Sequence, residues 1–227
     1  GLVGSEMCIR DSILNLPYLG PGAAPTVANW MYDRIADTDF RKLSWVAPFG
    51  SSLSGKTPLA EEANVTLMEK YGPYCAIKFR PGEGNGDDYN VGSATAVPVM
   101  RVEEMYFIEM EAKAHTNPAE GRQLLQDFMT TYRDPAYTCS VSSMDDVVEE
   151  IVFQKRVELW GEGTTLFDIK RLNYSVTRQY EGSNFLAGTE KNTVGRPAWM
   201  NMVIVQTEGN TNKAVTEWNN PDIPDTY

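Results

Sequence analysis

Through the middle of this chain apolar residues recur at helical spacing, while glycine and proline break the pattern toward both ends. Val102, Met105, Ile108 and Ala112 share one face of a helix predicted from Pro98 to His115. Asn117–Pro118–Ala119–Glu120 restarts a helix, with asparagine as cap, proline at the first helical position and an acid three residues after the cap. Leu124, Leu125, Phe128, Met129 and Tyr132 form its apolar stripe. The short turn between these helices predicts an antiparallel helical hairpin, the repeat unit of tetratricopeptide-like folds. Ser143 and Asp146 are spaced to cap a further helix that runs to about Trp160. It carries Val147, Val148, Ile151, Val152 and Leu159 on one side and Phe153, Val157 and Trp160 on the other. Two apolar sides predict a helix sandwiched between neighbours. Aromatics on these regular helices (Trp160, Phe128, Tyr106) read as core.

Elsewhere the signals are weaker. Pro17, Gly20, Pro21, Gly22 and Pro25 make residues 13–29 a loop, and a short helix runs from Thr26, its cap, to about Ile35. Residues 50–64 read as a surface connection, 71–79 as a short strand and 81–93 as a long loop. Residues 173–200 are polar and irregular, and 202–205 form one short apolar run read as a strand. The fold class predicted is mainly α, a tetratricopeptide-like α-α helical array with a loop-rich irregular portion.

Composition then removes several functions. A net charge of −11 argues against nucleic acid, whose phosphates require clustered Lys and Arg. No apolar run approaches the roughly 18 residues of a membrane-spanning helix. The lone histidine, His115, sits at a predicted helix end, where a cation suits the dipole, so no Ser/His or Cys/His catalysis is assigned. Cys8, Cys75 and Cys139 are scattered and carry no metal-ligand spacing, so neither metal nor cofactor is expected. The glycines at 82, 84 and 86 with Asp87 and Asp88 read as a flexible loop rather than a phosphate or calcium loop. Residues 1–12 have no basic start and no apolar run of a signal peptide, and Met7 stands before Cys8 where a lipobox needs a small residue. They read as a translated sequencing-adapter artefact.

The most specific stretch is Glu149 to Arg171, where Arg156–x–Glu158 ends a helix and Gly161–Glu162–Gly163 breaks it. Phe167, Asp168 and Arg171 then lie on a second, short helix. This order resembles the "ERRxEL…EGxRxFDLxR" signature of SusD/RagB-type proteins, nutrient-binding lipoproteins of Gram-negative cell surfaces. Arg101–x–x–Glu104–Met105–Tyr106–Phe107–Ile108–x–x–Glu111–Ala112 is similar to the family's "RxxExxLIxAEA" helix. Asp37–x–Asp39–Phe40–Arg41 resembles an upstream "DxR" motif, and Ile204 to Asn212 with Asn220–Pro221 resembles its closing segment. The chain departs from the pattern at Gln154, Lys155, Thr165 and Val205, which bears on the local salt-bridge network more than on the fold.

The resemblance implies that residues 13–227 are the C-terminal part of a SusD/RagB-like domain. It implies capture of an oligosaccharide, or a peptide, at the outer-membrane surface and delivery to a SusC-like TonB-dependent transporter. Membrane attachment would run only through a lipid anchor on an N-terminal part that precedes these residues. No catalysis is expected: Glu158, Glu162 and Asp168 read as structural acids facing Arg156 and Arg171 rather than as a glycosidase pair. The other motif residues, Arg101, Glu104, Glu111, Gly163 and Phe167, likewise read as fold-holding. Sugars need aromatic faces beside polar groups, and Tyr18 and Trp30, near the Pro/Gly-rich start, are the candidate ligand-binding residues. A helical-repeat scaffold that binds protein partners and no glycan is the alternative.

Overall fold

The computed structural model describes residues 26–54, 56, 72–76, 78, 98–197 and 210–213. Tyr18, the loop expected at 81–93 and the apolar run at 202–205 lie outside these residues. The described elements are α1 (Asn29–Arg34), a 3-10 turn (Phe40–Ser44), α2 (Val102–Thr116), α3 (Pro118–Tyr132), α4 (Met144–Glu158) and α5 (Thr165–Leu172). The chain divides into two compact units, Gly1–Glu158 and Leu159–Tyr227.

In the first unit, α2 packs against both α3 and α4, which makes the expected helical hairpin with a third helix against it. Pro118 stands at the first turn of α3, as its missing N–H allows. The Asn117 side chain makes no cap bond, and Glu120 pairs instead with Lys113 across the turn at 2.7 Å. The hairpin closes tightly because Gly121 has no side chain: a Cβ there would stand 2.6 Å from the Cβ of Ala114. Ser143 caps α4, its Oγ accepting from the Asp146 N–H at 3.2 Å. α4 is buried on both sides, through Val147, Ile151 and Val157 and through Val148, Val152 and Phe153. Phe107, Leu125, Met129, Val147 and Ile151 form the centre of the core. Each such side chain stabilises the fold by about 1.5–3 kcal/mol through apolar surface removed from water.

Four expectations change. The buried face of α2 is Phe107, Met110, Glu111 and Ala114, whereas Val102, Met105, Ile108 and Ala112 are exposed. α2 is apolar on two sides, so periodicity alone did not distinguish the packed face from the open one. Tyr106 and Tyr132 flank that open face and are exposed as well, although Tyr106 also leans on Phe128. Thr26 does not cap α1: Ala28 precedes that helix, and Thr26 instead bridges Cys75. Residues 72–76 form no strand; Cys75 and Ala76 make isolated antiparallel bridges to Thr26 and Trp45.

The second unit begins at a glycine break, with Gly161 and Gly163 at φ +79° and +85°, a region open to glycine at little cost. α5 ends at Asn173, which takes the left-handed cap conformation (φ 54°, ψ 37°). Beyond it, residues 174–197 are irregular, as expected, and side-chain amides tie them together. Asn192 Oδ1 accepts from the N–H groups of Arg178 and Gln179, and Asn173 Oδ1 from that of Arg196.

Candidate functional site

Helix α4 ends in a carboxylate, Glu158, where the helix dipole disfavours negative charge. Its position therefore needs compensation, and three arginines supply it. Arg133, just past the end of α3, donates from Nε at 2.7 Å and from Nη2 at 2.9 Å in a two-pronged pair. Arg101, just before α2, donates from Nη1 at 3.2 Å, and Arg41, on the 3-10 turn, from Nη1 at 3.3 Å. The last carbonyl of α4 is satisfied too, by Lys78 Nζ at 2.8 Å and Arg101 Nη2 at 2.9 Å. Burial opposes ionisation of Glu158. The hydrogen bonds and charge of Arg133, then the charges of Arg41 and Arg101, outweigh it and hold the carboxyl below its ordinary value.

Arg41 is itself buried. Asp39 accepts from its Nη2 at 2.6 Å and from its backbone N–H at 2.9 Å, which also caps the 3-10 turn. Gln154 accepts from Arg41 through its side-chain oxygen and donates to Glu150 at 2.8 Å. Glu150 in turn takes hydrogen bonds from Arg34 at 2.6 Å and from the Tyr137 hydroxyl at 3.1 Å. Where the family pattern has an acid, the amide of Gln154 thus joins two charge clusters, because it donates and accepts together.

These groups border an open cleft of about 260 Å³ lined by Phe40, Ser44, Val157 and the charged residues Arg41, Lys78, Arg101, Arg133 and Glu158. Phe40 is half-exposed, and the Arg133 guanidinium lies 5.7 Å from its ring centre. An apolar ring beside four cations, a hydroxyl and an ionised acceptor can hold one polar ring by stacking and hydrogen bonds. It is poorly suited to acid catalysis, because Glu158 is held ionised and has no proton to give.

The motif residues separate. Arg101 and Glu158 meet in the cleft, and Asp168 and Arg171 pair at 2.8 Å on α5. Arg156 does not face Glu158; its guanidinium lies 5.4 Å from the centre of the Trp30 ring, which is partly buried on α1. Two residues apart on a helix point in different directions, which explains the correction. Glu104 stays on α2 without lining the cleft, Glu111 is buried there 3.8 Å from His115, and Phe167 is exposed. Glu162 and Gly163 lie in the glycine break. Arg133, Lys78, Phe40 and Glu103, which pairs with both Arg101 and Arg133, were missed as site residues. The available signal was Phe40–Arg41 in the upstream motif; nothing marked Lys78.

The model of the SusD family matches residues 48–223. None of the curated proteins compared with the chain matches it. Among solved structures, a SusD-like carbohydrate binding protein from Bacteroides vulgatus ATCC 8482 is 22% identical, with a TM-score of 0.60. The match covers 92% of this chain and 44% of that one, so the chain spans less than half the length of its structural neighbour.

Proposed function

This chain belongs to the SusD family, and from that premise we propose that it binds an oligosaccharide nutrient at the cell surface and passes it to a SusC-like TonB-dependent transporter. The observation that carries this reading is the family match over 48–223, joined by a fold shared with a carbohydrate binding protein. The cleft beside Phe40 is the local support: it offers a half-exposed ring, fixed donors and one charged acceptor. Trp30, and with it Tyr18, is the second aromatic contact in this reading. Lipid anchoring at the outer membrane completes it. The reaction type is binding, without turnover.

Calorimetric titration of the purified chain with a panel of oligosaccharides and peptides tests the reading. Saturable binding to one glycan class, weakened at least tenfold by Phe40→Ala or Trp30→Ala, is the expected result. Binding of peptides alone would replace the glycan with a peptide nutrient. A second reading, a protein-binding scaffold, draws on the exposed apolar stripe of α2, Val102, Met105 and Ile108. It predicts no glycan binding at all.

A further inference from the structure

Arg156 differs from the other arginines of the first unit's charge clusters. Arg34, Arg41, Arg101 and Arg133 each meet a carboxylate. Among the described residues Arg156 makes no ion pair or hydrogen bond, and its contact is the Trp30 ring. Acids are not scarce: the chain has 31 Asp and Glu against 20 Lys and Arg. Burial alone draws the guanidinium below its ordinary pKa, with no neighbouring carboxylate to oppose it. Stacking on an indole offsets only part of such desolvation and leaves the guanidinium N–H groups without an anionic acceptor. The guanidinium nitrogens are not sealed in, since they are absent from the fully buried polar atoms left without a partner. A half-buried, unpaired fork thus stands against a partly accessible indole.

We propose that Arg156 and Trp30 recognise an acidic sugar, the guanidinium taking a ring carboxylate in a two-pronged pair while the indole packs against the sugar ring. This rests on the glycan-binding reading and names its substrate class, a uronic-acid oligosaccharide. Neither residue lines the cleft at Glu158, whose arginines are already engaged by acids. Desolvation of Arg156 is incurred on folding, so an incoming carboxylate meets a guanidinium already stripped of much of its water. A fixed fork suits a planar carboxylate better than an ammonium does.

Calorimetry with trigalacturonate and with its methyl ester tests this, the ester removing the charge and keeping the ring. The expected result is at least tenfold tighter binding of the acid by the native chain. Arg156→Met should abolish the preference for the acid over the ester, while Arg156→Lys keeps only part of it. In the native chain, the side-chain Nε–H resonance of Arg156, assigned by its loss in Arg156→Lys, should shift on adding trigalacturonate. This readout stands even if Arg156→Met does not fold. Equal affinity for acid and ester, or an Arg156 resonance unmoved at saturation, overturns the proposal and leaves glycan binding intact. Failure of both sugars to bind, while another glycan of the panel does, overturns this inference alone; failure of every glycan of the panel overturns the glycan reading and this inference with it.

Discussion

Replacing Glu158 by glutamine removes one charge and almost no volume, so it isolates the electrostatic role of the α4 terminus. In the native chain the carboxylate accepts from Arg133 at 2.7 and 2.9 Å, from Arg101 at 3.2 Å and from Arg41 at 3.3 Å. The two short bonds to Arg133 are charge-assisted, and together contribute about 3–6 kcal/mol on the usual range for such bonds. Breaking one partner of a buried pair costs roughly 3–5 kcal/mol, because the remaining charge is left uncompensated. Here three guanidiniums remain around a neutral amide whose NH2 has no acceptor among them. We therefore expect Glu158→Gln to lose about 3–4 kcal/mol, a large share of a typical domain stability of about 5–15 kcal/mol. Guanidinium chloride unfolding followed by circular dichroism at pH 7 measures it, and a melting temperature should fall by roughly 10 °C. The pH dependence gives a second check. The native carboxyl lies below its ordinary value, so its contribution is complete above the unfolded value of about 4.3 and is lost as pH falls through the lower folded value. The two proteins should therefore converge in stability toward acid. A loss below about 1 kcal/mol at pH 7, the range of exposed pairs, would refute the reasoning.

Three further outcomes follow. Gly121→Ala reverses the usual helix preference of about 1 kcal/mol for alanine, because overpacking against Ala114 costs about 1–3 kcal/mol; thermal melts should show net loss. Among the described residues the buried Tyr32 hydroxyl has no hydrogen-bond partner, so Tyr32→Phe should be neutral or stabilise by about 1 kcal/mol in denaturant titrations. Burial, then the charge of Asp37, pushes that phenol up to about 12. Native stability should therefore decline between pH 10 and 12 relative to the variant. Asn173→Ala places a Cβ-bearing residue without local hydrogen bonding in the left-handed region and should cost about 1–2 kcal/mol, with faster amide exchange in residues 174–196 and a smaller effect for Asn173→Gly.

Local chemistry made some of this legible and distant chemistry hid the rest. The starts of α3 and α4 were readable because Pro118 and Ser143 with Asp146 act within one turn of their own helices. The sandwiching of α4 was readable because its two stripes are both apolar. The packed face of α2 was not, since Val102, Met105 and Ile108 compete with Phe107, Met110 and Ala114 on opposite sides. That Glu158 is ion-paired was evident from its charged surroundings, but its partners were assigned to the nearest arginine in sequence. The true partners lie 25, 57 and 117 residues away, where no spacing rule reaches. Trp30 was singled out as a loop-edge aromatic for sugars; that Arg156 lies over it required the fold.

Those same separations set an order of assembly. The α2–α3 hairpin and its docking to α4 close loops of a few tens of residues, which form early in folding. Arg133, only 25 residues from Glu158, arrives with them. Arg41 must return across 117 residues, a later and entropically larger closure, and it brings Asp39 and the 3-10 turn with it. Glu158 thus works as a latch that engages twice, first within the helical core and then on the N-terminal segment. Loosening the second engagement would leave folding speed nearly unchanged and shorten the lifetime of the closed state.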